Sequence, residues 1–225
     1  MKKNKTFSNK EEESPQPEEG SQILLFDPSY AQPAEDTAAK MRTISLYGEV
    51  DEERASDVIY SILYLSSVGY PADQEEVEEE PPTPEMIYDP IKFLISTYGG
   101  SAAEMFAIYD TMRQVRGECE IHTHGLGKVM SAGVLLLAAG SKGNRKIGKN
   151  CRVMIHSVAG ASYGSLHNLE NEMDEIKWLQ EQHIKCLIEE TNMTRKQIKK
   201  MLAKRMNVYL TAEEAVKLGI ADEIV

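Results

Sequence analysis

Two rhythms of apolar residues alternate along the chain from about residue 41 onward. ISLYG (44–48) is a short apolar run closed by Gly48, and over residues 53–69 Val58, Ile59, Ile62, Leu63 and Leu65 gather on one helical face before Gly69. A strand followed by a helix is predicted. IKFLIST (91–97) predicts the next strand, Gly99-Gly100 a turn, and residues 101–117 a helix ended by Gly117. CEIHTHGLG (119–127) reads as a strand running into a small-residue turn at Gly125-Leu126-Gly127. MSAGVLLLAAG (130–140) reads as an apolar helix and CRVMIHS (151–157) as a third core strand. Residues 165–190 predict a long helix with Leu166, Leu169, Met173, Ile176, Ile184 and Leu187 on one stripe, followed by short helices at 194–205 and 212–218. Strands separated by helices of this length predict an α/β chain whose crossovers build a largely parallel sheet.

Composition narrows the class. The 225 residues carry 25 Lys+Arg against 36 Asp+Glu, a formal net charge of −11, with 41% apolar residues. No run approaches the roughly 18 apolar residues of a membrane helix, which excludes a spanning protein. Such an acidic chain does not attract nucleic acid or anionic lipid, so neither is an expected partner. The acidity is local. Residues 70–90 hold eight acidic residues, five prolines and no Lys or Arg, and read as a solvated insertion. Residues 1–40 hold eight acidic and five basic residues among scattered prolines and read as a mostly disordered acidic tail, leaving 41–225 as the domain. The opening MKKNKTFSNK is followed by EEESPQPEEG rather than by an apolar stretch, so a cytoplasmic protein is expected. Cys119, Cys151 and Cys186 match neither a zinc pattern nor a disulfide framework and read as reduced thiols.

Few positions carry chemistry. GNRKIGKN (143–150) matches a phosphate loop until Asn150, and it precedes a strand instead of following one, so it reads as a solvated turn. His122 and His124 share a strand face that would seat a metal only with a third ligand, and none is spaced nearby. Ser131 is more informative. It stands at the start of an apolar helix, where N–H groups stabilise an oxyanion, although on pattern alone a plain N-cap serine is the favoured reading. His156 ends an apolar strand, at the rim where parallel sheets bind ligands. Ser131 and His156 together suit a nucleophile and its base. The group that would orient the imidazole is left open among Asp174, Asp222, Asn168, Asn207 and several Glu. Gly99-Gly100 offers bare backbone to complete an oxyanion hole with Ala132, or is a plain glycine turn.

With these residues in view, the chain from about 42 to 225 resembles the proteolytic subunit of the Clp protease, the ClpP family. The resemblance is carried by TYGGS (97–101), AIYDTM (107–112), LGKVMSAGVLLLAAGSKGNR (126–145), RVMIH (152–156) and LTAEEAVKLGIADEIV (210–225). It implies a ClpP/crotonase-like α/β core of repeated β-β-α units in a superhelix, with a protruding long handle helix from about residue 165. It also implies an ATP-dependent serine endopeptidase that hydrolyses peptide bonds inside a ring chamber, without metal or organic cofactor. By this match Ser131 is the nucleophile, His156 the base, and Gly100 and Ala132 the oxyanion donors. The partners implied are peptide or unfolded protein substrates, a homo-oligomeric ring (heptamer or double heptamer) or a mixed ring with paralogues, and a Clp ATPase. The chain departs from the pattern in several places. The triad aspartate falls on Asn207, an arginine that pairs across rings is Met206, Tyr98 replaces a turn proline, and Ser157-Val158 replaces Gln-Pro. Slow activity follows, since an amide holds the imidazole tautomer without charge to stabilise the imidazolium. Residues 70–90 lie close to the expected ATPase-docking surface, and residues 1–40 suit a propeptide. A catalytically weak or inactive structural or regulatory ring subunit is the rival reading, and a crotonase-type hydratase a third.

Overall fold

The computed structural model describes residues 41–71, 86–203 and 207–225. The expectations for the tail, for most of the insertion and for Met206 fall outside them. In chain order the elements are β1 (Thr43–Val50), α1 (Glu52–Ser67), β2 (Tyr70–Pro71), β3 (Met86–Ile87), β4 (Ile91–Gly100), α2 (Ala102–Val115), β5 (Ile121–Met130), α3 (Ala132–Ala138), β6 (Lys146–Ile147), β7 (Arg152–Ile155), α4 (Leu166–Glu190), α5 (Arg195–Leu202), β8 (Val208–Leu210), α6 (Ala212–Lys217) and β9 (Glu223–Ile224). Each helix begins at the polar residue the sequence offers. Asp51, Ser101, Ser165, Thr194 and Thr211 all accept a backbone N–H in the first turn of the helix that follows.

One seven-stranded sheet runs β1-β4-β5-β6-β9, with β7 also paired to β5 and β8 hung on β7. All pairs in it are parallel except β7 with β8, as crossover helices require. Phe93, Ile95, Ile121, Val129, Ile147 and Val153 fill the sheet's interior positions, fully buried. The turn expected at Gly125-Leu126-Gly127 is instead continuous strand. β5 stays paired with β4 on one edge through a register break, and on the other edge it passes from β6 to β7. Gly125 is there because a Cβ would meet Val129 Cγ2 at 2.9 Å and Leu137 Cδ2 at 3.1 Å, a close approach rather than a bend.

The all-apolar α3 is buried along its whole length. Its terminal carbonyls would be orphaned there, and three side chains satisfy them: Thr123 Oγ1 donates to Leu137 O (2.8 Å), Arg145 Nη1 to Ala138 O (3.1 Å) and Arg116 Nη1 to Ala139 O (2.6 Å). Two guanidinium groups at this C-terminus also complement the helix dipole. Both have buried or half-buried counter-ions. Arg116 makes a two-pronged pair with Glu190 at the end of α4, and Arg145 does so with Asp222 just before β9. The position of α3 is thus tied to the far end of the chain. The first half of α4 stays uncovered, with Leu166, Leu169, Met173 and Trp178 exposed, while His183, Ile184 and Leu187 pack inward.

Candidate active site

Ser131 joins β5 to α3, held by the sheet on one side and by the first turn of α3 on the other. Its N–H donates to Met154 O on β7 (2.8 Å) and its carbonyl accepts from Val134 N–H (3.0 Å). These bonds fix a backbone with φ 54° and ψ −120°, and Ser131 is the one non-glycine residue with positive φ among those described. Strain of this kind persists only where surroundings over-determine it. The expectation of an N-cap serine is not met. No side-chain capping bond forms; Ser131 Oγ lies instead 2.7 Å from His156 Nε2. His156 follows directly on β7, the strand that also fixes Ser131 N–H, so the hydroxyl and the imidazole share one rigid frame.

The glycine turn closes the other side. Thr97 Oγ1 donates to Gly48 O (2.5 Å) and accepts Gly99 N–H (2.9 Å), so that N–H is occupied. Ser101 N–H donates to Val50 O (2.8 Å) across the Val50–Gly100 pair. In a parallel ladder Gly100 N–H then points away from β1, toward the side on which Ser131 lies. Ala132 N–H is the first of α3 and lacks an intrahelical acceptor. Gly100, Ala132, Ser131 and His156 all border one cavity of about 550 Å³. Two donors facing a hydroxyl paired with an imidazole can carry out acyl transfer. At the rim, Lys128 Nζ sits 4.4 Å over the ring of exposed Tyr98.

Two buried residues that the sequence did not disclose also border the cavity. Met105 from α2 and His183 from α4 line it and are both buried. His183 Nε2 has no hydrogen-bond partner among the described residues. Burial, and secondarily the nearby His156, push its pKa down to about 4, so it is a neutral imidazole near pH 7. Its spacing from Ile184, Leu187 and Gln180 puts it on the inward face of α4, a signal that was available. Gln180 Oε1 accepts Val158 N–H (2.8 Å), fixing the segment after His156 against α4.

Other expectations meet different outcomes. Extending the antiparallel β7–β8 register by one residue sets Asn207 opposite His156, yet Asn207 is exposed and no hydrogen bond joins the two among the described residues. Asp222 belongs to Arg145, Asp174 pairs with Lys177, and Asn168 N–H donates to the Ser165 cap. Gly143 N–H, within the phosphate-loop-like run, donates to Asp222 (2.8 Å). His122 pairs with Glu120 (2.7 Å), and it borders a separate cavity with His124, Lys92 and Lys146.

The family model of Clp protease matches residues 84–225. The ATP-dependent Clp protease proteolytic subunit 1 of Corynebacterium glutamicum is 34% identical over 184 residues, covering 81% of this chain and 78% of that protein. No helix among the described residues is long and apolar enough to cross a membrane.

Proposed function

The chain belongs to the Clp protease family, and from that premise we propose that it is a serine endopeptidase subunit with Ser131 as nucleophile and His156 as general base. The observation that carries the reading is the 2.7 Å contact between Ser131 Oγ and His156 Nε2 on a serine with positive φ. Ser131 Oγ attacks the peptide carbonyl carbon while its proton passes to His156 Nε2. The carbonyl oxygen becomes an oxyanion held by Gly100 and Ala132 N–H, each worth about 10² to 10³ in rate. His156 returns the proton to the leaving amine as the C–N bond breaks. Water then repeats the sequence on the acyl ester and regenerates the serine.

For Nε2 to accept, His156 must carry its proton on Nδ1 and needs an acceptor there. Asn207 is the neighbour one residue beyond the paired register, and its amide oxygen would have to turn onto Nδ1 to fill that role, without a charge, which makes turnover slow. The exposed apolar side chains Leu166, Leu169, Met173 and Trp178 on α4 suit a contact between subunits in a ring or between stacked rings. A ring chamber excludes folded proteins, so a Clp ATPase would supply unfolded chains to a cytoplasmic assembly. The exposure of Asn207 and its lack of a bond to His156 favour one rival, a weakly active or structural subunit of a mixed ring.

Intact mass after treatment with a fluorophosphonate separates the two. One adduct on the wild-type chain, lost in both Ser131→Ala and His156→Ala, is the expected result. No adduct on a chain that sizes as a ring would overturn the peptidase reading in favour of the structural one.

A further inference from the structure

Beside the site cavity, two cations stand side by side on the open face of the sheet without a counter-ion. The face opposite the buried Val129, Val153 and Leu210 carries Tyr98 on β4, Lys128 on β5, Arg152 on β7 and Tyr209 on β8. Lys128 and Arg152 are register partners; Lys128 Nζ lies 4.4 Å from the centre of the Tyr98 ring, and the Arg152 guanidinium 6.0 Å from that of Tyr209. The four side chains therefore form one row across the strands. Among the described residues neither cation makes an ion pair or a side-chain hydrogen bond. Like charges set directly opposite one another in a sheet repel, and an anion bound between them relieves that cost. A cation already held over a ring also loses little freedom when such an anion arrives. The row is continuous with the site, because Tyr98 borders the same cavity as Ser131 and His156. Glu49 borders that cavity too, but from β1, across β4 from the two cations, so the cleft is acidic on one side and basic on the other.

We infer that Lys128 and Arg152 are specificity-determining residues that select an acidic substrate side chain three to four residues from the bond cut at Ser131. The distance follows from the strands. Lys128 stands three residues before Ser131 and Arg152 four before His156, which at about 3.3 Å per residue sets the row about 10–13 Å from the reacting atoms. An extended substrate covers that span with three or four residues of its own. Between the row and the site the same face presents Met130 and Met154, an apolar floor on which such a segment can lie. A carboxylate is the anion that peptide side chains carry. The planar guanidinium takes it through two parallel N–H bonds, and the ammonium beside it adds a point charge. Glutamine has the shape of glutamate without its charge, so the row separates the two by electrostatics.

This inference rests on Ser131 being the nucleophile, so its test has one arm that needs no turnover. Fluorogenic peptides identical except for Glu, Gln or Lys at the third or fourth position on either side of the scissile bond are compared on three assembled proteins: wild type, the double variant Lys128→Met with Arg152→Met, and the double variant Lys128→Glu with Arg152→Glu. The ratio of kcat/KM for Glu over Gln is the readout, since damage that slows all substrates equally cancels from it. At about 50 mM salt the wild type should favour Glu by about 3- to 20-fold at one of these positions, the range that two partly exposed charge pairs command. The ratio should shrink toward 1 in about 0.5 M salt, where such charges are screened. It should fall to about 1 with the methionine substitutions and below 1, with Lys now preferred, with the glutamate substitutions. In the second arm the same peptides bind to Ser131→Ala proteins with and without the two methionine substitutions, and Kd is read by calorimetry. Absent hydrolysis by the wild type, with a Glu preference in binding that the methionine substitutions erase, would sink the peptidase reading and keep the row. A Glu-over-Gln ratio below twofold at every position in both arms, or a preference that the methionine substitutions leave intact, overturns the inference.

Discussion

Replacing Gly99 by alanine tests the placement of Ser131 from a residue that contributes no side chain of its own. A Cβ at Gly99 would stand 2.5 Å from Ser131 Cβ and 3.0 Å from Ser131 Oγ. Carbon atoms rest at about 3.5–4.0 Å, so the two chains must separate by about 1 Å. A displacement of that size at a reacting atom costs about 10²-fold in rate. Gly99 also has φ 98°, which adds about 1–2 kcal/mol of backbone strain for an L-residue. Gly143→Ala separates the two effects. It too has positive φ (86°), but nothing lies within 4 Å of its added Cβ. Gly143→Ala should therefore lower the thermal midpoint by about 2–8 °C and leave the rate of fluorophosphonate acylation at Ser131 near that of wild type. Gly99→Ala should show a similar thermal loss or a greater one, together with about 100-fold slower acylation and peptide cleavage. Acylation of Gly99→Ala within threefold of wild type would refute the reasoning, because Ser131 would then not be held against the glycine turn.

Asn207→Asp should accelerate peptide cleavage. With the carboxylate about 5 Å from the imidazolium and an effective dielectric between about 20 and 80, the attraction is about 1–3 kcal/mol, or about 5- to 200-fold in kcat; no gain would mean that His156 is not oriented from β8. Asp222→Asn leaves the buried Arg145 guanidinium without its two-pronged counter-ion and should cost about 3–5 kcal/mol in denaturant unfolding, with little loss expected for an exposed pair such as Lys177 with Asp174. Partial burial works against the Asp222 carboxylate, but Arg145 and two backbone N–H groups outweigh it and hold its pKa below the ordinary range. The stability it supplies is present above pH about 4 and is lost as pH falls through the lower folded value. His183 acts in a higher window. Its folded pKa of about 4 lies below an unfolded value of about 6.5, so the unfolded chain binds the extra proton between them and stability falls as pH drops. Between pH 7 and 5 the wild type should lose about 2 kcal/mol more than His183→Met in urea titrations, and equal losses would refute the burial of a neutral imidazole.

The legible parts of this molecule are those that burial writes into a run of residues. IKFLIST and RVMI are strands paired along both edges and buried at most positions, and a short run of apolar residues says so. The helices announce themselves by caps at Asp51, Ser101, Ser165, Thr194 and Thr211. β6, β8 and β9 are two or three residues long, too short for any rhythm, and exist because neighbours pair with them. Gly125 misled as part of a turn because close packing and bending call for the same residue, while Gly127 does take a positive φ of 63° without ending the strand. At the site, Ser131 and His156 were visible as residue types at an element start and an element end. Their 2.7 Å contact depends on the pairing of β5 with β7, which a local pattern does not encode. His183 was hidden by its own spacing: on the inner stripe of α4 it occupies a position where an apolar residue is the rule.

The bond between Arg145 and Asp222 spans 77 residues and orders events in time. A guanidinium enters a protein interior only with its counter-ion, so Arg145 can settle beneath Ala138 only after residue 222 has been made and folded back. Until then the helix behind Ser131 lacks one of its carbonyl partners. During synthesis a chain that has emerged only as far as α4 already contains Ser131 and His156, together with Met154 and Val134 that hold the serine's backbone, but not the carboxylate that lets Arg145 close the far end of α3.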